Sequence, residues 1–257
     1  MAMTVGCSKS ESGKPSAKSS AKLLQSLNGS DVAAIAESLK AAAVSDLINL
    51  TKTSASPGVD FSYDLNKEGN GIVINGYTGS AITLIIPETI ENYPVTEIGK
   101  RFFFGKEIKA VVIPSGVQVI GEDAFYGSDL RSVVILPGEG GAGLKKIPYN
   151  AFASCSNLKT VSLPDSIEEI GCFAFSSCKK LETINIPANI KKIGDSEGNF
   201  RGDAFNYCTE LYELKIPESI TSIKFIEDQN RDNFQGCGKL PLATRQKLKN
   251  LGYKGSF

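Results

Sequence analysis

The chain contains no histidine, although it is 257 residues long. This absence excludes Ser-His-Asp and Cys-His nucleophile systems, histidine general bases and histidine metal ligands. No apolar run approaches the roughly 20 residues that a membrane-spanning helix needs. The 28 basic and 28 acidic side chains balance, so the sequence has no basic surplus for nucleic acid. We therefore expect a binding or structural protein, not an enzyme, with no cofactor, no metal and no nucleic-acid partner.

The N-terminal residues are typical of an attachment segment. Residues 8–20 are rich in serine and lysine and hold a single apolar side chain, Ala17, so we expect a flexible tether. Residues 4–7 resemble the end of a bacterial lipoprotein signal, in which a small residue precedes a cysteine that is lipidated. The usual leucine is replaced by Thr4, and no charged or apolar signal stretch comes before it. We predict a leader and tether over 1–22 with lipidation at Cys7; the alternative is an unstructured leader with an incidental cysteine.

Residues 23–56 are predicted to be a helical segment. An Asn-Gly pair at 28–29 stops a first helix, and Ser30 or Asp31 can cap a second one. The apolar residues of the second helix recur on roughly one face and are Val32, Ile35, Ala36, Leu39, Leu47 and Ile48. After a Ser/Thr/Pro/Gly break, alternating apolar residues on both sides of Glu68–Gly71 predict a β-hairpin. We expect residues 57–95 to form this hairpin cap and a first rung.

From about residue 80 the chain repeats itself. Aliphatic segments end in proline at 87, 114, 137, 164, 187 and 217, which indicates a basic unit of 23 residues with insertions. An Ile-Gly pair follows each of several prolines, and then an Ala-Phe pair, as at 124–125 and 151–152. Such a period with an L-x-x-V-x-L strand predicts a leucine-rich-repeat solenoid, because one rung cannot bury its own face. In the rung at 158–163, Leu158, Val161 and Leu163 are expected to point inward.

The predicted fold class is therefore an α/β repeat protein. It is a right-handed solenoid of about six rungs over 96–240, with the helical and hairpin cap before it and a short C-terminal helical cap over 241–257. The glycines of the Ile-Gly pairs, such as Gly121, Gly171 and Gly194, are expected to occupy turns that a Cβ atom would obstruct.

The repeat unit resembles a known family. Residues 93–99, the Glu-Asp-Ala-Phe block at 122–125 and the unit at 155–164 are similar to BspA-like leucine-rich repeats, which occur in surface proteins and lipoproteins of anaerobic bacteria. The sequence departs from the pattern at residues 102–104, where three phenylalanines replace Ala-Phe. The resemblance implies adhesion to host extracellular-matrix proteins or other protein binding, without a shared binding motif.

Two side-chain ladders are expected along the solenoid. A cysteine lies three residues after the repeated phenylalanine at 155, 178, 208 and 237, and we interpret these thiols as small buried hydrophobes. Cys172 breaks this pattern and is expected to be more exposed and more reactive. The charged doublets at 145–146, 168–169 and 191–192 occupy the same repeat positions, so they should form a Lys/Glu/Lys surface ladder.

The outward positions of the repeated strands form the candidate binding surface, which we call the concave face. Ile85, Val112 and Val134 fall at one slot on successive rungs and predict a contiguous apolar patch open to a partner. Thr160, Thr183 and Asn185 are expected to supply polar contacts beside it. The alternative is that β-branched residues fill these positions only because they favour strands.

These observations predict a non-enzymatic protein-binding or adhesion module. The chain is expected to be lipid-anchored at the bacterial cell envelope, on the outer surface or in the periplasm, and to bind a protein or peptide through the concave face. The alternative is a structural envelope component that self-associates through its end rungs. A glycoside hydrolase that uses only carboxylates is the weakest hypothesis, because no carboxylate pair stands out on the predicted concave strands.

Overall fold

The computed structural model describes residues 57–105, 107–138, 140, 142–195, 202–226 and 232–257. The predicted leader with Cys7 and the helical segment over 23–56 lie outside these residues. Helix α1 spans Leu242–Asn250. The strands are β1 (Phe61–Leu65), β2 (Ile72–Tyr77), β3 (Thr83–Ile85), β4 (Thr89–Ile90), β5 (Tyr93–Ile98), β6 (Ala110–Ile113), β7 (Val119–Ile120), β8 (Ser132–Ile135), β9 (Lys146–Ile147), β10 (Thr160–Ser162), β11 (Glu169–Gly171), β12 (Thr183–Asn185), β13 (Lys192–Asp195), β14 (Glu213–Lys215) and β15 (Lys224–Phe225).

The described residues form a solenoid with two sides. One side is a six-stranded parallel sheet in the order β14-β12-β10-β8-β6-β3. The other side is built from β5 and β7, then from the parallel sheet β15-β13-β11-β9. Each rung passes from one side to the other through turns and not through a helix, so the described chain is mostly β. The predicted solenoid and its short C-terminal helix are confirmed.

An antiparallel hairpin starts the described chain. Strands β1 and β2 pair from Leu65 opposite Ile72 to Phe61 opposite Tyr77, and β2 then pairs in parallel with β5 of the first rung. The buried Phe61 ring lies 5.1 Å from the Tyr77 ring and 6.4 Å from the Phe102 ring, measured between centroids. The hairpin therefore covers the N-terminal end of the repeat core.

A column of stacked phenylalanines runs through the core. Consecutive ring centroids lie 5.9, 5.0, 5.4, 5.4 and 5.1 Å apart, and the ring planes are within 9° of parallel. The members are Phe103, Phe125, Phe152, Phe175, Phe205 and Phe234. Phe103 thus fills the repeat position within the divergent Phe-Phe-Phe stretch.

The repeated thiols lie beside this column. The Sγ atoms of Cys155 and Cys178 donate hydrogen bonds to the carbonyls of Phe125 and Phe152, the stacked residues of the preceding rungs, at 3.1 Å each. Cys208 and Cys237 repeat the contact at the same distance. The predicted burial of these four cysteines is confirmed. The expectation for Cys172 is wrong, because its side chain is 0% exposed.

The glycines of the repeat lie where neighbouring rungs approach each other most closely. A Cβ atom on Gly121 would lie 2.5 Å from the Lys100 nitrogen, and one on Gly171 would lie 2.8 Å from the Pro148 carbonyl carbon. Gly194 has in addition a φ of +88°, which disfavours other residues. The predicted steric need for glycine is therefore confirmed at all three positions.

The last rung is covered by the C-terminal residues. The Tyr253 ring lies 5.2 Å from the Phe234 ring at 84°, and its hydroxyl accepts a hydrogen bond from the Phe234 N–H at 3.2 Å. Leu248 of α1 is buried in the same core. Among the described residues no helix is long and apolar enough to cross a membrane.

Candidate functional site

The strand register brings the predicted site residues onto one surface. Ile85 lies opposite Val112, and Val112 lies opposite Val134. Ser162 and Asn185 occupy the corresponding positions of β10 and β12, and Lys215 that of β14. A second line of side chains two residues earlier runs through Thr83, Ala110, Ser132, Thr160, Thr183 and Glu213. These two lines make up the concave face.

The first half of the concave face is not open to solvent. Ile85, Val112 and Val134 are only 7%, 4% and 7% exposed, and the neighbouring Ala110 and Ser132 are buried as well. We call these five residues the aliphatic half. None of them belongs to the hydrophobic cluster around the phenylalanine column, so they face away from it. The expectation of an exposed apolar patch is therefore wrong, although the alignment of the three aliphatic side chains is as predicted.

The second half of the concave face is polar and partly accessible. We call it the polar half, and it consists of Thr160, Ser162, Thr183, Asn185, Glu213 and Lys215. Two shallow depressions of about 140 and 280 Å³ share Asn185 and Lys215. Thr183 and Ser162 line the first depression, and Asp165 lies in the second. These side chains offer hydroxyl and amide groups and both signs of charge within a small area.

Asn185 has a structural role that the sequence did not reveal. Its Nδ2 donates to the Leu163 carbonyl at 2.7 Å, and its Oδ1 accepts from the Leu163 N–H at 2.9 Å. The amide thereby satisfies the backbone of the neighbouring rung, where Pro164 ends the strand. Thr160 similarly donates from Oγ1 to the Ser132 Oγ at 3.2 Å. Two of the predicted contact residues are therefore held in place by hydrogen bonds within the sheet.

A second groove, which sequence reasoning missed, interrupts the opposite side of the solenoid. In the regular rungs the residue after the isoleucine donates a backbone hydrogen bond, as Gly121 does to the Ile98 carbonyl at 2.7 Å. Pro148 holds this position after Ile147 and has no N–H to give. A groove of about 350 Å³ opens there between β7 and β9 and includes Lys100, Val119 and Tyr149 in its lining. The substitution of proline for the repeat glycine was the available signal.

The charged doublets form the expected ladder on that same side. Glu168 is paired with Lys191 and lies 3.6 Å from Lys145. Glu169 lies 3.8 Å from Lys146 and 3.0 Å from Lys192. Hydrogen bonding to Lys191, together with the charge of both lysines, lowers the pKa of Glu168. The prediction of a Lys/Glu/Lys ladder is confirmed, and the lysines are engaged in it.

The cysteine thiols of the described residues are buried. Burial raises the pKa of the Cys155 thiol to about 11, and it raises the thiol pKa values of Cys178 and Cys208 well above the ordinary value. These thiols are therefore protonated and poorly nucleophilic at neutral pH. Within the described parts of the chain, no group of three or more Cys, Asp or Glu side chains is arranged to hold a metal ion.

Comparisons with known proteins agree with this architecture. The model of the BspA type leucine rich repeat region matches residues 142–237 in six copies. No curated protein matches the chain. The chain is similar to the T. pallidum leucine rich repeat protein, with 30% identity and a TM-score of 0.55 over 79% of this chain and 99% of that one.

A second similar structure is a leucine rich cell surface protein from Faecalibacterium prausnitzii. The identity is 32% and the TM-score 0.51, over 67% of this chain and 45% of that protein. This chain thus spans nearly the whole of the first relative and less than half of the second. The repeat sequence, the phenylalanine column and these similarities lead to one assignment. The chain belongs to the BspA-type leucine-rich repeat family.

Proposed function

We propose that this chain is a non-enzymatic protein-binding module of the bacterial cell envelope, which binds a protein or peptide through the polar half of its concave face. Leucine-rich repeat proteins are typically interaction or surface modules, which supports the general class. The observation that carries the choice of surface is the change along the sheet from buried aliphatic to partly accessible polar side chains.

The geometry of the polar half suits an extended peptide or a strand-like epitope. Strands lie about 4.8 Å apart, so its side chains present polar groups at regular intervals. Asn185 and Thr160 are held in place by hydrogen bonds within the sheet, which reduces the entropy lost when a ligand binds. Glu213 and Lys215, 3.8 Å apart, add paired charges at the C-terminal end of the surface. Such charges give specificity and a faster association rate more than affinity.

An envelope location is supported by the relative from Faecalibacterium prausnitzii, which is described as a cell surface protein. Our proposal extends this to adhesion to host extracellular-matrix proteins and to attachment through a lipid on Cys7. Residues 8–20 would then separate the repeats from the membrane as a tether.

Self-association through an end rung is the competing structural role. Strand β14 lies at the edge of the six-stranded sheet, and the nearby Tyr212 is 49% exposed. However, β14 carries Glu213 and Lys215, and charged residues on an edge strand oppose pairing with another copy. We therefore favour the binding role.

The binding surface is tested by blocking it with a large side chain. We compare Thr183→Arg with Thr221→Arg, which makes the same change at an exposed position outside the concave face. Each full-length variant is measured by surface plasmon resonance against purified host matrix proteins and bacterial envelope proteins. Thr183→Arg should lower the affinity for a partner protein at least tenfold, whereas Thr221→Arg should leave that affinity unchanged. Equal affinities for both variants at unchanged melting temperature would contradict the proposal.

The anchor is tested by mass spectrometry of protein extracted from its native cells. We expect a chain that begins at Cys7 and carries the added mass of two or three acyl groups. A Cys7→Ser variant should lose this mass and leave the membrane fraction. Recovery of unmodified protein that still begins at Met1 would contradict the anchor.

A further inference from the structure

The sheet on the side opposite the concave face is broken between β7 and β9. Among the described strands, β7 pairs only with β5 and β9 pairs only with β11, although β7 and β9 belong to consecutive rungs. The rungs rejoin one residue after Pro148, where the Asp123 N–H donates to the Tyr149 carbonyl at 3.2 Å. The groove of about 350 Å³ described above therefore lies between two strand edges and is closed at one end. We call it the Pro148 groove.

One wall of the Pro148 groove carries an exposed apolar side chain where the other rungs have a charged one. Val119 is 47% exposed, whereas Glu97 is the residue opposite it on β5. The rungs after the break also hold charged residues at this repeat position, namely Lys146, Glu169 and Lys192. Single exposed valines are ordinary on protein surfaces, but this one lines a groove together with Pro148 and Tyr149. The groove thus has an apolar surface at the point where the charged ladder stops.

The other groups of the Pro148 groove give it a surplus of positive charge. Its lining includes three lysines and one carboxylate, which are Lys100, Lys145, Lys146 and Glu122. Lys100 lies 2.9 Å from Glu122, so these two charges offset each other. The other two lysines belong to the ladder, in which four lysines share Glu168 and Glu169.

The surplus charge of the ladder lies at its groove end. Lys192 is 3.0 Å from Glu169 and also 3.4 Å from Asp195, so the far end of the ladder has an additional carboxylate. At the groove end, Lys145 and Lys146 make the longer contacts of 3.6 and 3.8 Å with the same two glutamates. An anionic group above the groove would therefore meet a favourable potential.

We propose that the Pro148 groove binds a short acidic segment of a partner protein. One aromatic or large aliphatic side chain of this segment packs beside Val119 and Pro148, and the neighbouring carboxylates face the lysines. Charge complementarity of this kind selects the acidic partner. The groove volume is at the lower end of the range for ligand pockets, roughly 300–1,000 Å³, which suits one or two side chains. A complete strand cannot enter, because the rungs rejoin at Tyr149.

This site is separate from the polar half, which lies on the other side of the solenoid. The proposal does not depend on what the polar half binds, and failure of one site leaves the other unaffected. Two sites on opposite sides allow one chain to bind two partners at the same time.

The test measures the binding of a defined probe to the full-length protein by fluorescence anisotropy. The probe is a fluorescein-labelled peptide with the sequence Gly-Ser-Asp-Glu-Phe-Asp-Glu-Ser-Gly. One control peptide has serine in place of phenylalanine, and the other has the amides in place of all acidic residues. We expect saturable binding of the probe and at least tenfold weaker binding of each control. Absence of saturable binding, or equal binding of all three peptides, would overturn the proposal.

Protein variants show where the probe binds. Val119→Glu introduces a residue that β5 and β11 hold at the same repeat position, and it should lower the affinity for the probe at least tenfold. Val59→Glu makes the same change at a 91% exposed valine outside the groove and should leave the affinity unchanged. Thr183→Arg in the polar half should also leave it unchanged. Unaltered affinity in Val119→Glu, or a loss in Thr183→Arg, would refute the assignment to this groove.

A second measurement requires no substitution in the protein. The phenylalanine of the probe is replaced by benzoylphenylalanine, the complex is irradiated, and the adduct is mapped by mass spectrometry. Adducts within residues 118–122 or 145–149 support the proposal. A principal adduct elsewhere in the chain contradicts it.

Discussion

At the scale of single residues, the interior repeats two contacts from rung to rung. Each stacked phenylalanine contacts the next ring, and each thiol donates to a carbonyl one rung back, as Cys178 does to Phe152. The sequence predicted that both residue types are buried, because they recur at fixed repeat positions. It did not predict the thiol–carbonyl bonds, since spacing carries no information on where a sulfur atom points. The wrong expectation that Cys172 is exposed has the same cause.

The buried thiols should not react with thiol reagents until the protein unfolds. Five cysteines of the described residues are buried, and burial raises the pKa of Cys155 to about 11. In a Cys7→Ser variant at pH 8, we expect Ellman's reagent to titrate none of them in native protein and all five in guanidinium chloride. Rapid reaction of a thiol without denaturant would show that its rung opens in the native state.

Removal of one ring should be costly. Phe175 is completely buried between Phe152 and Phe205, so Phe175→Ala leaves a cavity and breaks the column. We expect a loss of about 3–5 kcal/mol in the free energy of unfolding, measured by urea denaturation. Tyr212→Ala, at an exposed aromatic residue, is the control and should change it by less than about 0.5 kcal/mol. A similar effect of both substitutions would contradict the column as a stabilising feature.

At the scale of elements, the close approach of neighbouring rungs decides which residues are tolerated. The Ile-Gly pair was recognisable in the sequence because the repeat placed glycine before the same Ala-Phe turn. The groove beside Pro148 was not, since a single proline in a repeat also fits an ordinary strand end. Its effect depends on a hydrogen bond between rungs that lie far apart in the chain.

Two glycine substitutions distinguish the effect of a steric clash between rungs from the effect of replacing glycine as such. A Cβ atom on Gly171 would lie 2.8 Å from the Pro148 carbonyl carbon, whereas one on Gly238 meets nothing within 4 Å. Gly171→Ala must therefore push two backbones apart, and we expect it to lower the melting temperature by several degrees. Gly238→Ala should leave it unchanged or raise it slightly, because alanine restricts the unfolded chain. The reverse order would refute the close rung contact.

The charge ladder should contribute to stability in a pH-dependent way. The pKa of Glu168 is lowered by its lysine partners, so its stabilising effect is present above the ordinary carboxyl pKa and is lost as the pH falls through the lowered value. Lys192 behaves oppositely, because Glu169 and Asp195 raise its pKa and its effect is lost only at high pH.

We therefore expect Glu168→Gln to flatten the fall in melting temperature between about pH 5 and pH 3, where carboxylates titrate. Glu182→Gln is the control, because Glu182 has a lysine partner, Lys159 at 3.0 Å, outside this ladder. Melting curves across the pH range measure the difference. An acid limb that is identical in Glu168→Gln and the parent would show that the ladder contributes nothing.

At the scale of the whole molecule, the solenoid was predictable and its coverage was not. Repeated residues such as Leu163 and Phe175 each specify an inward position, and many copies of the same signal reinforce each other. Residues such as Val112 lack this redundancy, since a β-branched residue on a strand fits an open and a covered surface equally well.

The ends of the solenoid should be its weakest points. Tyr253 covers Phe234 of the last rung, so Tyr253→Ala exposes one end of the column. Because each rung contacts only its neighbours, we expect faster hydrogen–deuterium exchange over 232–240 and unchanged exchange over 151–175. Lys254→Ala, at an exposed residue nearby, serves as the control. Equal acceleration throughout the chain would mean that the solenoid opens as one unit.

The nearest-neighbour character of the phenylalanine column and the thiol–carbonyl bonds also constrains how such a chain changes in evolution. A duplication of one 23-residue unit adds a ring and a thiol that find the same partners as before, so the new protein inherits a working interior. A duplication of half a unit would place polar turn residues in the column. Lineages of this chain should therefore differ in length mainly by whole rungs, and gene duplication can extend the polar half without redesign of the core.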